Sequence, residues 1–462
     1  MTTAAGDVTL ARLHPSLMAT TRDSWNTRAG FLLAAVGSAV GLGNLWRFAY
    51  IASEGGGAAF VILYLVLVFL IGVPLLTAEL TIGRHTGQSP IRALTRVGGS
   101  GWSWLGVVFV FAGFGILSYY SVIMGWTARV LVDTARGALP EDTSAYFGQI
   151  STGTSAILWH LGGMALTVAV VRGGIRGGIE RVSIVLMPLL FLLVIGLAIW
   201  AATLSGAGPG YEFYLKPQAG ELFTSATLTR AAGQAFFSLS LGMGAIITYA
   251  SYLKGSGNLP YEAGTIALSD TAVAFVGGLV TFPIIFHFGL QQGVSESNIG
   301  ALFIAVPRAF HDMGGTGVVI GTAFFVALYI AALTSAISLL EVVVSALIDG
   351  PGWPRHRSAV VAGIAIALAG IPAALNTDWL GLVDQVVGNV FLIFGGLMMA
   401  LLVGYAWSRG ADDELALGFG NAALRRVWIW LLRVPVPVIL LVVLYNAVRA
   451  IAPLFRAVFG GG

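Results

Sequence analysis

The chain has 462 residues, of which 57% are hydrophobic and only 10% are charged, and its mean hydropathy is +0.88. Soluble proteins carry about 25% charged residues, so this composition excludes an ordinary soluble globular protein and indicates a membrane protein. The net charge of +3 is spread thinly between apolar runs, which fits membrane topology better than a nucleic-acid-binding surface. Because the chain has no cysteine, disulfides and cysteine-ligated zinc are also excluded.

Apolar runs long enough to cross about 30 Å of hydrocarbon, roughly 20 residues each, occur eleven times. Lipid offers no partner to a free backbone group, so we predict an all-α polytopic fold with 11 transmembrane helices. Segment 1–27 lacks the apolar core of a signal peptide, and we expect a retained tail. A cytoplasmic N-terminus in the cell membrane places most loop arginines inside, as the positive-inside rule requires. The predicted spans are 28–52, 58–83, 103–132, 155–171, 182–203, 230–253, 264–290, 317–348, 357–375, 380–407 and 425–450.

Two of these spans contain a similar interruption. The first carries "AVGLGN" at 39–44 and the sixth carries "SLSLGMGAII" at 238–247, each with a Gly-X-Gly. The sixth span follows the first by five spans, an odd number, so the two halves run through the membrane in opposite directions. Small residues also serve helix packing in membranes, which is the alternative interpretation. Taken together, the pair predicts a 5+5 inverted repeat with unwound helices 1 and 6 and a binding site at the membrane midplane.

The residues at the interruptions indicate what such a site binds. Unwound helices expose carbonyl groups that hold a cation and N–H groups that hold an anion. Ser238, Ser240 and Asn44 add neutral oxygen ligands, and Phe237 adds an aromatic side chain. Oxygen ligands suit a hard monovalent ion, while the dispersed histidines form no spacing typical of a metal site. We therefore predict sodium binding together with a substrate that carries both a carboxylate and an amine.

Longer motifs resemble those of one transporter family. The stretches "WNTRAGFLLAAVGSAVGLGNLWRFAYIASEGGGAAF", "SYY", "GQAFFSLSLGMGAIITYASY" and "AALTSAISLLE" are similar to the neurotransmitter:sodium symporters, from about Arg22 to the tenth span. The chain departs from the family in having Ala49 where proline is usual, and eleven spans where many members have twelve. The resemblance implies a leucine-transporter-like fold and sodium-coupled symport by alternating access.

This resemblance also implies how the chain is divided. The expected parts are a cytoplasmic tail with the inner gate (1–27), a first five-helix repeat (28–203), an extracellular loop (204–229), a second five-helix repeat (230–407), and a loop with helix 11 and a short outer tail (408–462).

Two sodium sites are implied by position in the family. The first uses the Ala39 carbonyl with Asn44, Ser238 and Asp270, completed by the substrate carboxylate. A carboxylate within the membrane is functional by default, although Asp270 near the start of a span also fits a helix cap, and Ser269 competes for its position. The second site uses the carbonyls of Gly37, Val40 and Ala331 with the hydroxyls of Thr334 and Ser335. Such hydroxyls also commonly bond to the preceding helical turn.

The implied substrate depends most on Gly41, where family members that carry monoamines have aspartate. Glycine leaves room for a substrate carboxylate near the N–H groups that follow it. An apolar pocket without charge then favours a neutral, hydrophobic amino acid, with another small zwitterion or amine as the alternative. Ordinary interhelical packing is the alternative interpretation of the apolar members. The expected substrate residues are Ala39, Leu42, Gly43, Ile116, Tyr120, Phe237, Ser238, Ser240, Met243, Ser335 and Leu339.

The resemblance assigns gates on both sides of this pocket. Arg47 is expected to pair with Asp384 above Phe237, and Arg22 with Asp349 on the inner side beside Trp25. Arginine suits a gate because its fork holds a carboxylate directly or through water. The alternative for the inner pair is two unrelated solvated helix ends.

Glu79 lies inside helix 2, and we expect it to bond free N–H groups of the helix 6 interruption. The alternative is that Glu79 snorkels to the inner surface.

The acid at Asp270 predicts that chloride is not required, because a built-in carboxylate replaces the anion beside the first sodium site. Asp270 is then expected to lose or share a proton when the inner side opens. Tyr64, Gln234 and Ser238 would be remnants of the anion's surroundings. Two other classes are weighed against transport: an open channel, and a membrane enzyme, for which only isolated groups such as His287 are available. No nucleic-acid partner is expected.

Overall fold

The computed structural model of the chain describes residues 23–217, 224–290 and 301–459. The predicted gate residue Arg22 lies outside the described residues. The α-helices of the first half are α1 Arg28–Ala39, α2 Phe48–Glu54, α3 Ala58–Leu67, α4 Val73–Thr86, α5 Pro90–Gly98, α6 Ser103–Ala135, α7 Thr143–Ser151, α8 Gly153–Arg172, α9 Arg181–Ala201 and α10 Ala207–Leu215. Those of the second half are α11 Ser225–Ser238, α12 Ala245–Ala250, α13 Leu259–His287, α14 Val306–Asp312, α15 Gly315–Asp349, α16 Arg355–Leu375, α17 Thr377–Val383, α18 Leu392–Leu401, α19 Ser408–Ala416, α20 Ala422–Arg433, α21 Pro435–Arg449 and α22 Ile451–Phe459.

Shorter helical segments join several of these helices. The π-helical segments are Gly43–Arg47, Val68–Gly72, Ile175–Glu180, Ala301–Ala305, Asp384–Phe391 and Leu402–Ala406, and one 3-10 turn spans Ser100–Trp102. Because most of these segments continue the neighbouring helix without a turn, they lengthen spans rather than end them.

The helices account for the predicted spans. Within the described residues, nine helical stretches are long and apolar enough to cross a membrane, and a tenth crossing is the pair Arg28–Ala39 and Gly43–Glu54, bent by 62°. The remaining predicted span corresponds to α11 and α12, which the segment 239–244 separates. The structure is therefore all-α and consistent with eleven crossings, with interrupted helices at the first and sixth positions as predicted.

Local signals in the sequence explain where the interrupted helices begin. The Thr27 hydroxyl accepts a hydrogen bond of 2.9 Å from the Gly30 N–H at the start of α1, and the Thr224 hydroxyl accepts one of 3.1 Å from the Thr227 N–H at the start of α11. Such caps satisfy N–H groups that have no partner within the helix. Both interrupted helices are thus capped where they begin. Their remaining unpaired backbone groups lie at the breaks.

The break between α11 and α12 depends on backbone conformation. Gly242 and Gly244 have φ of +76° and +74°, and Ser240 has φ of +53°. Glycine adopts this left-handed region at no steric cost, while other residues rarely do. The glycines are therefore what allows the chain to leave and resume a helix within six residues.

The two longest helices, α6 and α15, with 33 and 35 residues, form the most extensive helix–helix contact of the structure. Both pass beside the interrupted helices, and 22 side chains of α15 are buried. This pair forms a continuous wall against which the two breaks lie, so side chains from all four elements converge at one level.

Candidate functional site

A small closed cavity lies where the two breaks meet α6 and α15. Its volume is about 30 Å³, which is room for about one water molecule. A larger ligand therefore requires the surrounding helices to move apart. The lining residues are Ser38, Ala39, Gly41, Leu42, Gly43, Asn44, Ile116, Tyr120, Phe237, Ser238, Ser240, Met243, Ser335 and Leu339. This list contains every predicted substrate residue, so the structure brings that set together.

The members predicted for a first sodium site form one buried hydrogen-bond cluster. The Asn44 amide nitrogen donates to Asp270 Oδ1 at 2.6 Å and to Ser238 Oγ at 2.9 Å. Ser238 Oγ also lies 2.6 Å from Asp270 Oδ2. Asp270 is fully buried and belongs to this cluster, while Ser269 is half-buried. The helix α13 begins at Leu259 with Asn258 as its N-cap, so Asp270 lies inside the helix and is not a helix cap.

Residues around this cluster include those predicted to surround an anion in relatives. The Tyr64 hydroxyl lies 3.4 Å from Ser238 Oγ and 3.5 Å from Asp270 Oδ2. The Gln234 amide nitrogen donates to the Gly43 carbonyl at 3.0 Å. Gln234 thus faces the first break, and its amide oxygen is buried without a partner.

The groups predicted for a second sodium site also meet. Ser335 Oγ lies 3.2 Å from the Val40 carbonyl and donates toward α1 across the helix interface. Thr334 Oγ1 bonds back to the Ile330 and Ala331 carbonyls at 3.1 and 3.2 Å. A methyl group on Gly37 would lie 3.2 Å from Thr334 Cβ. Thr334 therefore bonds to its own helix, as the alternative interpretation has it, and Ser335 crosses to the break, while the second sodium site stays a prediction.

Gly41 lines the cavity beside the N–H group of Leu42. A Cβ atom there would lie 2.9 Å from Ser335 Oγ and 3.1 Å from the Tyr120 hydroxyl. The Leu42 N–H points at the same Tyr120 hydroxyl, at 3.3 Å. At this position glycine is needed for space, because any side chain would push into both hydroxyls.

Of the two forms expected for the pairing of Arg47 with Asp384, direct or through water, the direct ion pair is not present. Arg47 Nη2 donates to Asn389 at 3.1 Å, and its guanidinium lies 4.2 Å from the centre of the Phe237 ring. Asp384 instead accepts a hydrogen bond of 2.7 Å from the Tyr119 hydroxyl. Because Tyr119 takes the carboxylate, the arginine binds the same π-helical segment one turn further on. The expected position above Phe237 is confirmed, and Tyr119 and Asn389 are residues that the sequence reasoning missed.

On the opposite side, Trp25 closes the inner end of α1. Its indole nitrogen donates to the Tyr249 carbonyl at 2.8 Å, and its ring packs edge-on against Tyr249 and Phe31. Asp349 accepts a hydrogen bond of 2.6 Å from the Ser89 N–H. Trp25 therefore ties α1 to the inner half of the second interrupted helix.

Two further buried acids hold this inner side, and sequence reasoning did not find either. Glu180 accepts hydrogen bonds from the N–H groups of Asn26 and Thr27, at 2.7 and 3.0 Å. Glu341 on α15 makes two bonds with Arg355, at 2.7 and 2.9 Å. Glu341 lies within the apolar run 317–348, which was the available signal, because a buried carboxylate requires a partner. Glu180 lies in the arginine-rich stretch before the next span and gave no such signal.

Glu79 confirms its prediction. Its Oε1 accepts a hydrogen bond of 2.9 Å from the Gly242 N–H, and the side chain is 1% exposed. It therefore stabilises the unwound stretch between α11 and α12 and does not snorkel to the surface.

The chain matches a known family over nearly its whole length. The model of the sodium:neurotransmitter symporter family matches residues 22–149 and 147–458. The chain belongs to the sodium:neurotransmitter symporter family. Its members are transporters, so the chain is a transporter and not an enzyme.

Individual relatives agree with this membership. The crystal structure of MhsT in complex with L-phenylalanine is 39% identical, with a TM-score of 0.84 over 92% of this chain and 100% of that one. The uncharacterized sodium-dependent transporter YhdH of Bacillus subtilis is 37% identical over 92% of this chain and 97% of the relative. A sodium-dependent nutrient amino acid transporter of Drosophila melanogaster is 27% identical over 85% of this chain and 72% of the relative. The protein is thus a multi-pass, sodium-dependent transporter with the leucine-transporter-like fold.

Proposed function

We propose that this symporter takes up a neutral, hydrophobic amino acid together with sodium by alternating access. The observation that carries the proposal is the cavity itself: none of its lining residues is a charged side chain, and Gly41 stands where an aspartate would serve a monoamine. A substrate without net charge therefore has to bring its own carboxylate and amine. The L-phenylalanine held by MhsT is a ligand of this kind.

The backbone groups of the two breaks suit the two charged ends of such a substrate. The carboxylate lies against the Leu42 and Gly43 N–H groups and the Tyr120 hydroxyl, since N–H groups at a helix start attract an anion. The amine lies against the carbonyls of Ala39, Phe237 and Ser238. Apolar side chains receive the rest of the molecule, and Met243 adapts to different shapes because its side chain is flexible.

Two sodium ions are transported as co-substrates in this proposal. Ala39, Asn44, Ser238 and Asp270 hold the first ion, and the substrate carboxylate completes its shell. The carbonyls of Gly37, Val40 and Ala331 with the hydroxyls of Thr334 and Ser335 hold the second. Oxygen donors without nitrogen or sulfur suit sodium, and the buried cluster around Asp270 supports the first site.

Chloride is not required for this transport. Asp270 supplies a negative charge beside the first sodium ion, so chloride is not needed to balance the charge of that ion. When the inner side opens, Asp270 loses or shares a proton.

Gates close the cavity on both sides. Arg47 over Phe237 closes the outer side, with Asp384 approaching it once Tyr119 releases its carboxylate. On the inner side Arg22 pairs with Asp349 beneath Trp25. The N-terminus is cytoplasmic and the protein resides in the cell membrane, because the arginine-rich loops lie on the N-terminal side.

A ligand screen tests the function. We expect the midpoint of thermal unfolding to rise with phenylalanine, leucine and similar amino acids in sodium, and not in potassium, because only a bound ligand stabilises the folded state. Uptake into proteoliposomes should saturate and should concentrate the amino acid when a sodium gradient is imposed. Flux that only equalises concentrations would identify a channel. Stabilisation by monoamines instead of amino acids would overturn the assignment of Gly41.

A further inference from the structure

A recess rich in arginine lies beside the last two spans, far from the transport site. It opens between α19 and α20 and has a volume of about 490 Å³. We call it the arginine recess, defined by Arg409, Arg426 and Arg433, which line it together with Asp412, Asp413 and Trp430.

The arginine recess carries positive charge that the protein does not neutralise. Arg433 donates to the Gly404 carbonyl at 2.6 Å and to the Ser408 hydroxyl at 3.2 Å, and both acceptors are neutral. Arg426 reaches only the Ala422 carbonyl, at 3.4 Å, and Arg409 has no ion pair among the described residues. Asp412 is already paired with Arg425 at 2.7 Å. Within the described residues, the three arginines of the recess therefore form no ion pair, and Asp413 is the one acid of the lining besides the paired Asp412.

The outer border of the recess is apolar. Leu424, Val427 and Trp430 follow one another at three-residue spacing on α20 and are 53%, 51% and 55% exposed. Val438 and Leu441 continue this exposed apolar surface along α21, at 57% and 56%. A short helix with arginines beside a tryptophan and exposed aliphatic residues is typical of the membrane–water interface.

The recess lies on the N-terminal side of the molecule. Arg84 at the end of α4 donates to Glu414 on α19 at 2.7 Å and to the Gly257 carbonyl at 2.6 Å. Ser89, just beyond α4, is the residue that bonds to Asp349 at the inner gate. The arginine recess therefore shares the cytoplasmic side proposed above, where the membrane surface is negatively charged.

We propose that the arginine recess binds the phosphate group of an anionic phospholipid from the cytoplasmic leaflet. Guanidinium forks match the oxygens of a phosphate group, and the missing carboxylate partners leave them available. The acyl chains lie along the exposed apolar surface from Leu424 to Leu441. The proposal commits to a lipid, and not to a free phosphate ester, because Trp430 both lines the recess and belongs to this exposed apolar surface. It does not depend on which substrate is transported.

Thermal unfolding of the purified full-length protein in neutral detergent tests the proposal. The probe is short-chain phosphatidylglycerol, compared with phosphatidylcholine of the same chain length and with glycerol phosphate. We expect phosphatidylglycerol alone to raise the unfolding midpoint in a saturable manner. Arg409→Gln with Arg426→Gln should lower its affinity about 30-fold, since each interfacial arginine contributes roughly fivefold by its charge and the two factors multiply. Arg172→Gln, which removes an exposed arginine at the end of α8 on the same side, is the matched control and should leave the affinity unchanged.

Three results would overturn the proposal. Equal affinity of the double variant and the unmodified protein would show that the recess does not bind the lipid. Equal stabilisation by phosphatidylcholine would show that the negative charge is not recognised. Equal affinity for glycerol phosphate would assign the recess to a soluble phosphate ester. If the double variant does not fold, Arg409→Gln alone is measured, because this exposed side chain has no described ion pair, and an unchanged affinity again overturns the proposal.

Discussion

Gly41 determines the specificity of the proposed site because it has no side chain. Its backbone does not need the left-handed region, whereas the space above it is bounded by Ser335 and Tyr120. Those two hydroxyls and the Leu42 N–H face the same point. One missing Cβ atom therefore decides whether the site receives a carboxylate or an amine.

Gly41→Asp should abolish amino-acid binding. A new carboxylate would repel that of the substrate, and two like charges about 4 Å apart cost about 4 kcal/mol at an effective dielectric near 20, roughly a thousandfold in affinity. Gly41→Ala is the control, since it adds bulk without charge and should weaken binding less. The measurement is the dissociation constant of the amino acid in sodium. Uptake by Gly41→Asp at the unmodified rate would place the substrate carboxylate elsewhere.

Asp270→Asn should impair uptake, and added chloride should restore part of it. The substitution removes the charge that we place beside the first sodium ion, and it keeps the size of the side chain. It also keeps one of the two oxygens that accept hydrogen bonds from Asn44 and Ser238. Ser269→Ala is the matched control, because Ser269 precedes Asp270 in the chain and is half-buried. Uptake is measured with chloride replaced by gluconate. If the unmodified transporter stops without chloride, Asp270 does not replace the anion.

Sequence reasoning predicted the cavity residues well and the gate contacts less well. The cavity residues lie in long motifs whose order fixes the pocket, so the whole predicted set lines it. Arg47 could not be placed in the same way, because its partner depends on which of several polar groups competes for it. Tyr119 takes Asp384 and leaves Asn389 for the arginine. Such a competition is decided by side-chain geometry and leaves no pattern in the sequence.

At the level of helices, the two Gly-X-Gly motifs serve different purposes. In the first, the glycines make room: a Cβ atom on Gly43 would lie 2.8 Å from the Phe237 ring. In the second, Gly242 and Gly244 adopt positive φ and let the chain leave one helix and begin the next. The sequence predicted both breaks correctly because glycine weakens a helix in either case. The sequence could not show whether a glycine is needed for the space above it or for its backbone conformation, because this depends on what packs against each motif.

Glu79→Ala should destabilise the second break more than Glu79→Gln. Loss of the side chain leaves the Gly242 N–H buried without a partner, which costs about 1–3 kcal/mol, whereas glutamine retains an acceptor oxygen. The midpoint of thermal unfolding in detergent, measured with and without sodium, reports the difference. Identical midpoints for the two variants would show that the bond to Gly242 contributes nothing to stability.

Glu180→Ala should loosen the inner end of α1. The variant removes the acceptor for the Asn26 and Thr27 N–H groups, so amide exchange across residues 28–39 should become roughly tenfold faster. Glu262→Ala is the matched control, because Glu262 is equally buried but binds the side chain of Arg28 and no backbone group of α1. Hydrogen exchange followed by mass spectrometry measures both. Equal rates in the two variants would contradict a role for the backbone contacts of Glu180.

Over the whole molecule, the pattern of apolar runs predicted the architecture, because membrane-spanning segments leave a strong signal in composition. All eleven predicted runs correspond to helices or helix pairs among the described residues. The shorter surface helices were missed. For example, α5 and α7 have only nine residues each and lie in polar loops. The division of the chain into a tail, two repeats and the outer segments stays a prediction, as does the membrane orientation.

Sodium binding and substrate binding are expected to depend on each other across the whole transport cycle. If the substrate carboxylate completes the first sodium site, each ligand must strengthen the binding of the other by the same factor, typically about 5- to 150-fold. Asn44→Ala and Ser238→Ala remove members of the buried cluster and should weaken both ligands together. Thr248→Ser is the control, since the Thr248 hydroxyl on α12 is buried and donates to the Gly244 carbonyl, outside the cluster. Amino-acid affinity is measured at increasing sodium concentration and sodium affinity at increasing amino-acid concentration. An amino-acid affinity that ignores sodium would separate the two sites, and the proposed symport mechanism would lose its physical basis.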